Sequence, residues 1–157
     1  MVDNNLVYIS SDGSALGNPG PGGYGVILQY GSEEKELQKG FKYTTNNRME
    51  LLGAIVGLEL LKKSYKVILS TDSRYVVDGI NLGWAKKWEL NGWMRNKKEK
   101  AKNQDLWERL LYQNSRHDIT FRWIRGHDGH KENERCDDLA NTAASSSSLN
   151  EDSGFEE

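Results

Sequence analysis

The chain has 157 residues, 36% apolar and 28% charged, with a formal net charge of −2. These values bound one soluble globular domain of ordinary size. They exclude a membrane span, which needs ~20 consecutive apolar residues, and a uniformly basic nucleic-acid binder, so any affinity for phosphate must come from local charge.

In chain order, Val7 and Ile9 alternate with Tyr8 and Ser10, the period-2 pattern of a strand, and the run ends on Asp12. The glycine- and proline-rich segment 17–23 forces a reversal. Residues 24–30 and 35–43 then read as two further strands, giving a three-strand meander. From Asn47 the period changes: Met49, Leu52, Val56 and Leu60 recur at helical spacing, and Lys62 and Lys63 suit a helix C-terminus. Residues 67–71 form a nearly all-apolar strand that also ends on an aspartate, Asp72. A strand, a helix and a strand in succession favour a parallel pair with a right-handed crossover. That topology brings Asp12 and Asp72 to one sheet edge, where open α/β sheets bind their ligands.

Residues 73–82 read as a helix, followed by a tryptophan-rich basic stretch. From Lys86 to Lys102, Lys86, Lys87, Arg95, Lys97, Lys98, Lys100 and Lys102 stand against Glu89 and Glu99, a local excess of +5 (7 − 2). A helix over 105–113, an alternating strand over 118–123, a glycine- and histidine-containing loop at 126–130 and a helix over 134–144 complete the domain, 1–144. The remainder, 145–157, is serine-rich and then acidic, which predicts a disordered tail. Cys136 is the one cysteine, so no intrachain disulfide forms, and a cytoplasmic protein is expected.

Each candidate site residue has a bland alternative. Asp12-Gly13 suits a turn, Asp72 suits a helix N-cap, and Glu50 suits a capping box with Asn47. Asp137 suits a solvated acidic face beside Asp138. Trp84 and Trp88, at i and i+4, suit packing as well as stacking on nucleotides. His127 lies on the glycine loop, where a core role is unexpected; His117 and His130 read as surface histidines. Taken jointly, Asp12, Asp72 and a glutamate in the first turn of the crossover helix form a carboxylate cluster that repels itself unless a cation balances it. Hard oxygen ligands without competing thiolates point to Mg²⁺ or Mn²⁺.

The blocks SSDGSALGNPGPGGYG, TTNNRMEL, STDS, WIRGHDGH and ENERCDDLA, in this order and spacing, resemble the type 1 ribonuclease H family of the bacterial kind. The resemblance implies a ribonuclease H-like α/β fold: a mixed five-stranded sheet in the order 3-2-1-4-5, flanked by helices and carrying a basic protrusion. It implies an endonuclease that hydrolyses the RNA strand of RNA–DNA hybrids with two metal ions, leaving 5′-phosphate and 3′-hydroxyl ends. By the same resemblance, metal ligands fall on Asp12, Glu50, Asp72 and Asp137, and a proton-transfer histidine on His127. Hybrid contacts fall on Asn18, Asn46 and Asn47, a DNA-phosphate contact on Thr45, and the DNA-strand channel on Trp84 and Trp88. The protrusion would grip the hybrid through Lys86, Lys87, Lys97 and Lys98. The expected cofactor is Mg²⁺, two ions with substrate, or Mn²⁺. The expected partner is the hybrid alone, bound by a monomer with no obligate protein partner and no membrane contact.

Two positions depart from the family pattern. Arg74 stands where bacterial members often carry glutamine, and Asp128 replaces a small residue, where it is expected to stabilise protonated His127. The rival readings are a non-catalytic hybrid-binding module of the same fold and a nuclease cutting duplex or branched DNA.

Overall fold

A computed structural model describes residues 6–157. Five strands, β1 (Leu6–Ala15), β2 (Gly20–Tyr30), β3 (Glu33–Thr44), β4 (Lys66–Thr71) and β5 (Asp118–Trp123), form one sheet in the order β3-β2-β1-β4-β5. The meander β1-β2-β3 is antiparallel, while β4 and β5 add in parallel to β1. The register sets Ile9 against Leu69 and Ser10 against Ser70, so both parallel strands run to the same edge before reaching their aspartates.

The strands differ from the sequence reading mainly at their ends. β2 begins at Gly20 rather than at residue 24, because the glycine segment itself joins the ladder, Gly22 opposite Ala15 and Gly23 opposite Ser14.

Helix α1 (Asn46–Glu59) is the crossover between β3 and β4, and it is buried nearly all round. Its apolar positions exceed a stripe: Met49, Leu51, Leu52, Ala54, Ile55 and Leu58 all belong to the core, between the sheet and the later helices. Burial of each such large side chain contributes about 1.5–3 kcal/mol before entropy is counted. The helix stops at Glu59, short of Lys62 and Lys63, which lie beyond its Leu60 cap.

The other helices are α2 (Arg74–Asn81), α3 (Trp84–Leu90), α4 (Gln104–Arg116) and α5 (Lys131–Ala144). Trp107 on α4 is fully buried and receives Trp88 edge-on, with ring centroids 6.0 Å apart. Its indole N–H donates to the Tyr75 hydroxyl at 3.0 Å. His117 is corrected from surface to buried: it is 5% exposed, and its Nδ1 accepts the Tyr65 backbone N–H at 3.0 Å. Among the described residues, no helix is long and apolar enough to cross a membrane.

The tail is also corrected. It follows β3, with Asn150 N–H donating to the Gly40 carbonyl and Lys42 N–H to the Asn150 carbonyl. Asp152 then accepts from Thr44 Oγ1 at 2.7 Å and from Arg48 Nε at 2.7 Å. Arg48 is buried in α1 and also forks onto Asp105 of α4, at 2.9 and 2.7 Å. A buried guanidinium needs such partners, and the tail supplies one of them.

Candidate active site

Asp12 lies on β1 and Asp72 just past the end of β4, as the crossover requires. Gly13 brings in the third carboxylate. A side chain there would meet the Glu50 backbone nitrogen at 2.4 Å, so only glycine lets the first turns of α1 rest directly on β1. The same approach lets the Gly13 N–H donate to Glu50 Oε1 at 2.6 Å. Ligand oxygens of Asp12, Glu50 and Asp72 consequently lie within 4.8 Å of one another. Asp137 of α5 lines the same cleft but stands outside this three-carboxylate cluster.

The capping alternatives fail. Thr45 caps α1 by accepting the Arg48 N–H at 3.2 Å, and Ser73 caps α2 by accepting the Val76 N–H at 3.3 Å. Glu50 and Asp72 are therefore released from helix-end duty and face a cleft of about 430 Å³ with Asp12, Asp137 and His127. His127 sits in the left-handed region, φ 57°, on the loop between β5 and α5. Gly126 beside it passes so close to Asp72 that an added Cβ would lie 2.4 Å from Oδ2. Asp128 follows His127 in this loop, and no hydrogen bond or ion pair joins the two side chains among the described residues.

The electrostatics follow from this crowding. Burial first, and then the Glu50 charge, hold the Asp12 carboxyl well above its ordinary range; Asp72 and Asp137 push the same way. Glu50 is raised too, again by burial first, with Asp72 adding to it and the Gly13 N–H opposing. Each carboxyl is therefore harder to ionise beside the other when no cation is bound. Clustered, partly desolvated carboxylates of this kind fit a hard divalent ion, which would remove the repulsion.

The remaining candidates fall into two groups. Asn46 accepts the Ala15 N–H through Oδ1 at 2.6 Å, and Asn18 Oδ1 accepts the Asn46 backbone N–H at 3.1 Å. Both carbonyl oxygens are thus occupied, which leaves the amide NH₂ groups to donate elsewhere. Asn47 lines both the carboxylate cleft and an adjoining groove of about 840 Å³, where Asn18 and Thr45 also stand. The second group lies apart, on the protrusion. Trp84 is 40% exposed, Trp88 is half-buried against Trp107, and Lys87, Lys97 and Lys98 are exposed. Lys86 pairs with Glu89 at 2.9 Å.

Several contributors were not among the expected site residues. Arg74 lines the cleft with its guanidinium 3.9 Å from the Trp123 ring centroid, and the Trp123 indole N–H donates to the Asp72 carbonyl. Tyr75 lines the cleft and accepts from Asn103 and Trp107. Lys100, Lys102 and Asn103 form a wall of the adjoining groove.

Comparison with known proteins agrees with this geometry. The RNase H family profile matches residues 4–145. The ribonuclease H of Syntrophus aciditrophicus (strain SB) is 60% identical over 149 residues, 95% of this chain and 86% of that protein. The ribonuclease HI of Synechocystis sp. (strain ATCC 27184 / PCC 6803 / Kazusa) is 53% identical over 152 residues, 96% of this chain and 95% of that protein. Among solved structures, LC9-RNase H1, a type 1 RNase H with the type 2 active-site motif, superposes with a TM-score of 0.80 at 34% identity, covering 92% of this chain and 74% of the other. The structure of LC11-RNase H1 in complex with RNA/DNA hybrid shares the fold, with a TM-score of 0.65 at 24% identity over 88% of this chain and 96% of the other. The chain belongs to the RNase H family.

Proposed function

We infer that this protein is a ribonuclease H that hydrolyses the RNA strand of RNA–DNA hybrids, leaving 5′-phosphate and 3′-hydroxyl ends. The observation that carries the reading is the convergence of Asp12, Glu50 and Asp72 within 4.8 Å at the carboxyl edge of the parallel strands. With Asp137 these residues would hold Mg²⁺, two ions in the presence of substrate, or Mn²⁺. When bound, such ions supply charge neutralisation and an activated water for in-line displacement at phosphorus.

The protein's own groups supply position and proton transfer. The buried carboxylates fix where the reacting phosphate sits. His127, on the loop lining the cleft, gives a proton to the leaving 3′ oxygen as it departs. The free amide NH₂ groups of Asn18 and Asn46, with Asn47, suit acceptors and 2′-hydroxyls in the shallow minor groove of a hybrid. Thr45, in the adjoining groove, offers its hydroxyl to a phosphate of the DNA strand. Trp84 and Trp88 offer rings to that strand, while Lys86, Lys87, Lys97 and Lys98 offer sequence-independent charge. A monomer in the cytoplasm suits the reading, which asks for no protein partner.

The test is cleavage of an end-labelled RNA–DNA hybrid, with and without EDTA, beside RNA–RNA and DNA–DNA duplexes. Mg²⁺-dependent cutting of RNA in the hybrid alone is expected, and tight binding without cutting would move the protein to the hybrid-binding class. The variant Asp72→Asn should lose cleavage by at least about a thousandfold, on the order of a lost catalytic group, while retaining hybrid binding. Persistent Mg²⁺-dependent turnover in that variant would refute the ligand assignment.

A further inference from the structure

The groove beside the carboxylate cleft is lined by groups of opposite charge. Lys100 and Lys102 stand on one wall, with the amide of Asn18 and the hydroxyl of Thr45 nearby, a set suited to phosphate. Phe155, Glu156 and Glu157 line the same groove from the tail. Neither glutamate forms an ion pair with Lys100 or Lys102 among the described residues. Asn47 belongs to both the groove and the cleft, so a polyanion entering one passes the other.

The tail is held there unevenly. Asp152 is anchored deeply on Arg48 and Thr44, with its side chain 7% exposed. Beyond it Phe155 is half-buried, while Glu156 and Glu157 are exposed. The Tyr43 hydroxyl donates to Glu157 Oε1 at 2.9 Å, and the Phe155 ring lies 5.6 Å from that of Tyr43 and 5.9 Å from the Arg48 guanidinium. Surface contacts of this kind hold weakly. The tip can lift while the anchor stays.

We propose that residues 155–157 form an acidic strap that occupies the phosphate-accepting groove and competes with the nucleic acid, thereby setting substrate affinity. This rests on the hybrid-cleaving reading above. Binding draws only on the fraction of molecules with the strap lifted, which weakens the apparent affinity by that fraction. The strap carboxylates also repel incoming phosphates, and this part of the effect is screened by salt.

The test compares the unaltered protein with Glu156→Gln/Glu157→Gln. A control, Glu33→Gln/Asp118→Asn, removes two exposed acids at the opposite end of the sheet and matches the change in net charge. Steady-state cleavage of a short hybrid gives KM and kcat in Mg²⁺, and fluorescence anisotropy gives Kd in EDTA. The strap variant should bind about three- to fivefold tighter at low salt, with kcat and Tm unchanged, and the gain should fall toward unity near roughly 0.5 M salt. An unchanged or weaker affinity, or an equal gain in the control, would overturn the proposal. Failure of the unaltered protein to cut the hybrid would overturn the functional reading instead, and the anisotropy comparison would still judge the strap. Failure of every protein to bind the hybrid would overturn both.

Discussion

At Asp12, burial and the neighbouring carboxylates act in one direction, and the consequence is measurable as stability. Its folded-state pKa lies above the ordinary carboxylate value. The native state therefore holds a proton that the unfolded chain has already released, and without a cation stability falls as pH rises above about 4. Asp12→Asn removes the cost. In EDTA at pH 8 the variant should melt on the order of 3–6 °C above the unaltered protein, with a smaller difference at pH 5. Mg²⁺ should raise the Tm of the unaltered protein and shrink the gap, since an ion that binds only the native state stabilises it by mass action. A variant that melts at or below the unaltered protein in EDTA at pH 8 would show that the cluster stores no repulsion. At this scale the carboxylates were legible because strand ends and the crossover place Asp12, Asp72 and Glu50 by topology. Tyr75 and the Arg74–Trp123 stack were not, because their partners come from elements whose side-chain facing no local pattern reveals.

Among the elements, β5 was read to its exact ends because Ile119, Phe121 and Trp123 alternate with polar neighbours. The C-terminal end of α1 and the start of α5 were missed by a few residues, since caps and tertiary contacts rather than periodicity decide where a helix begins and stops. The protrusion shows how two readings of one stretch can both hold. Trp88 and Trp93 pack against the core and stiffen the element, while its lysines remain outside. Neutralising Lys86, Lys87, Lys97 and Lys98 should raise KM and reduce the salt dependence of hybrid binding by about 2–3 in log–log slope. The drop should fall short of the full complement because Lys86 is already paired with Glu89. Tm should stay within about 1 °C, as these side chains carry no buried contacts. An unaltered salt slope, measured by titration with KCl, would remove the protrusion from the binding surface.

For the whole molecule, one meander and one crossover were visible in the periodicity, while the full order 3-2-1-4-5 was implied by the family resemblance. The docked tail did not follow, because its composition is that of a solvated segment and its anchor lies 104 residues away on a side chain that looks like an ordinary surface arginine. Arg48 is 2% exposed and shared between Asp105 and Asp152, so it joins α1, α4 and the tail at a point two residues from Glu50. Asp152→Ala leaves a buried guanidinium short of one carboxylate. That deficit costs about 2–4 kcal/mol, a little less than a pair broken outright, because Asp105 remains. The expected fall in Tm is on the order of 5–12 °C. Asp152→Asn, which keeps one acceptor for the guanidinium, should lose about half as much. Thermal unfolding in Mg²⁺ would measure both. If Asp152→Ala melted within about 1 °C of the unaltered protein, the tail would not belong to the cooperative unit. The same deep anchor separates two jobs in one segment: Asp152 ties the chain to α1, and the lightly held residues beyond it stay free to move at the groove.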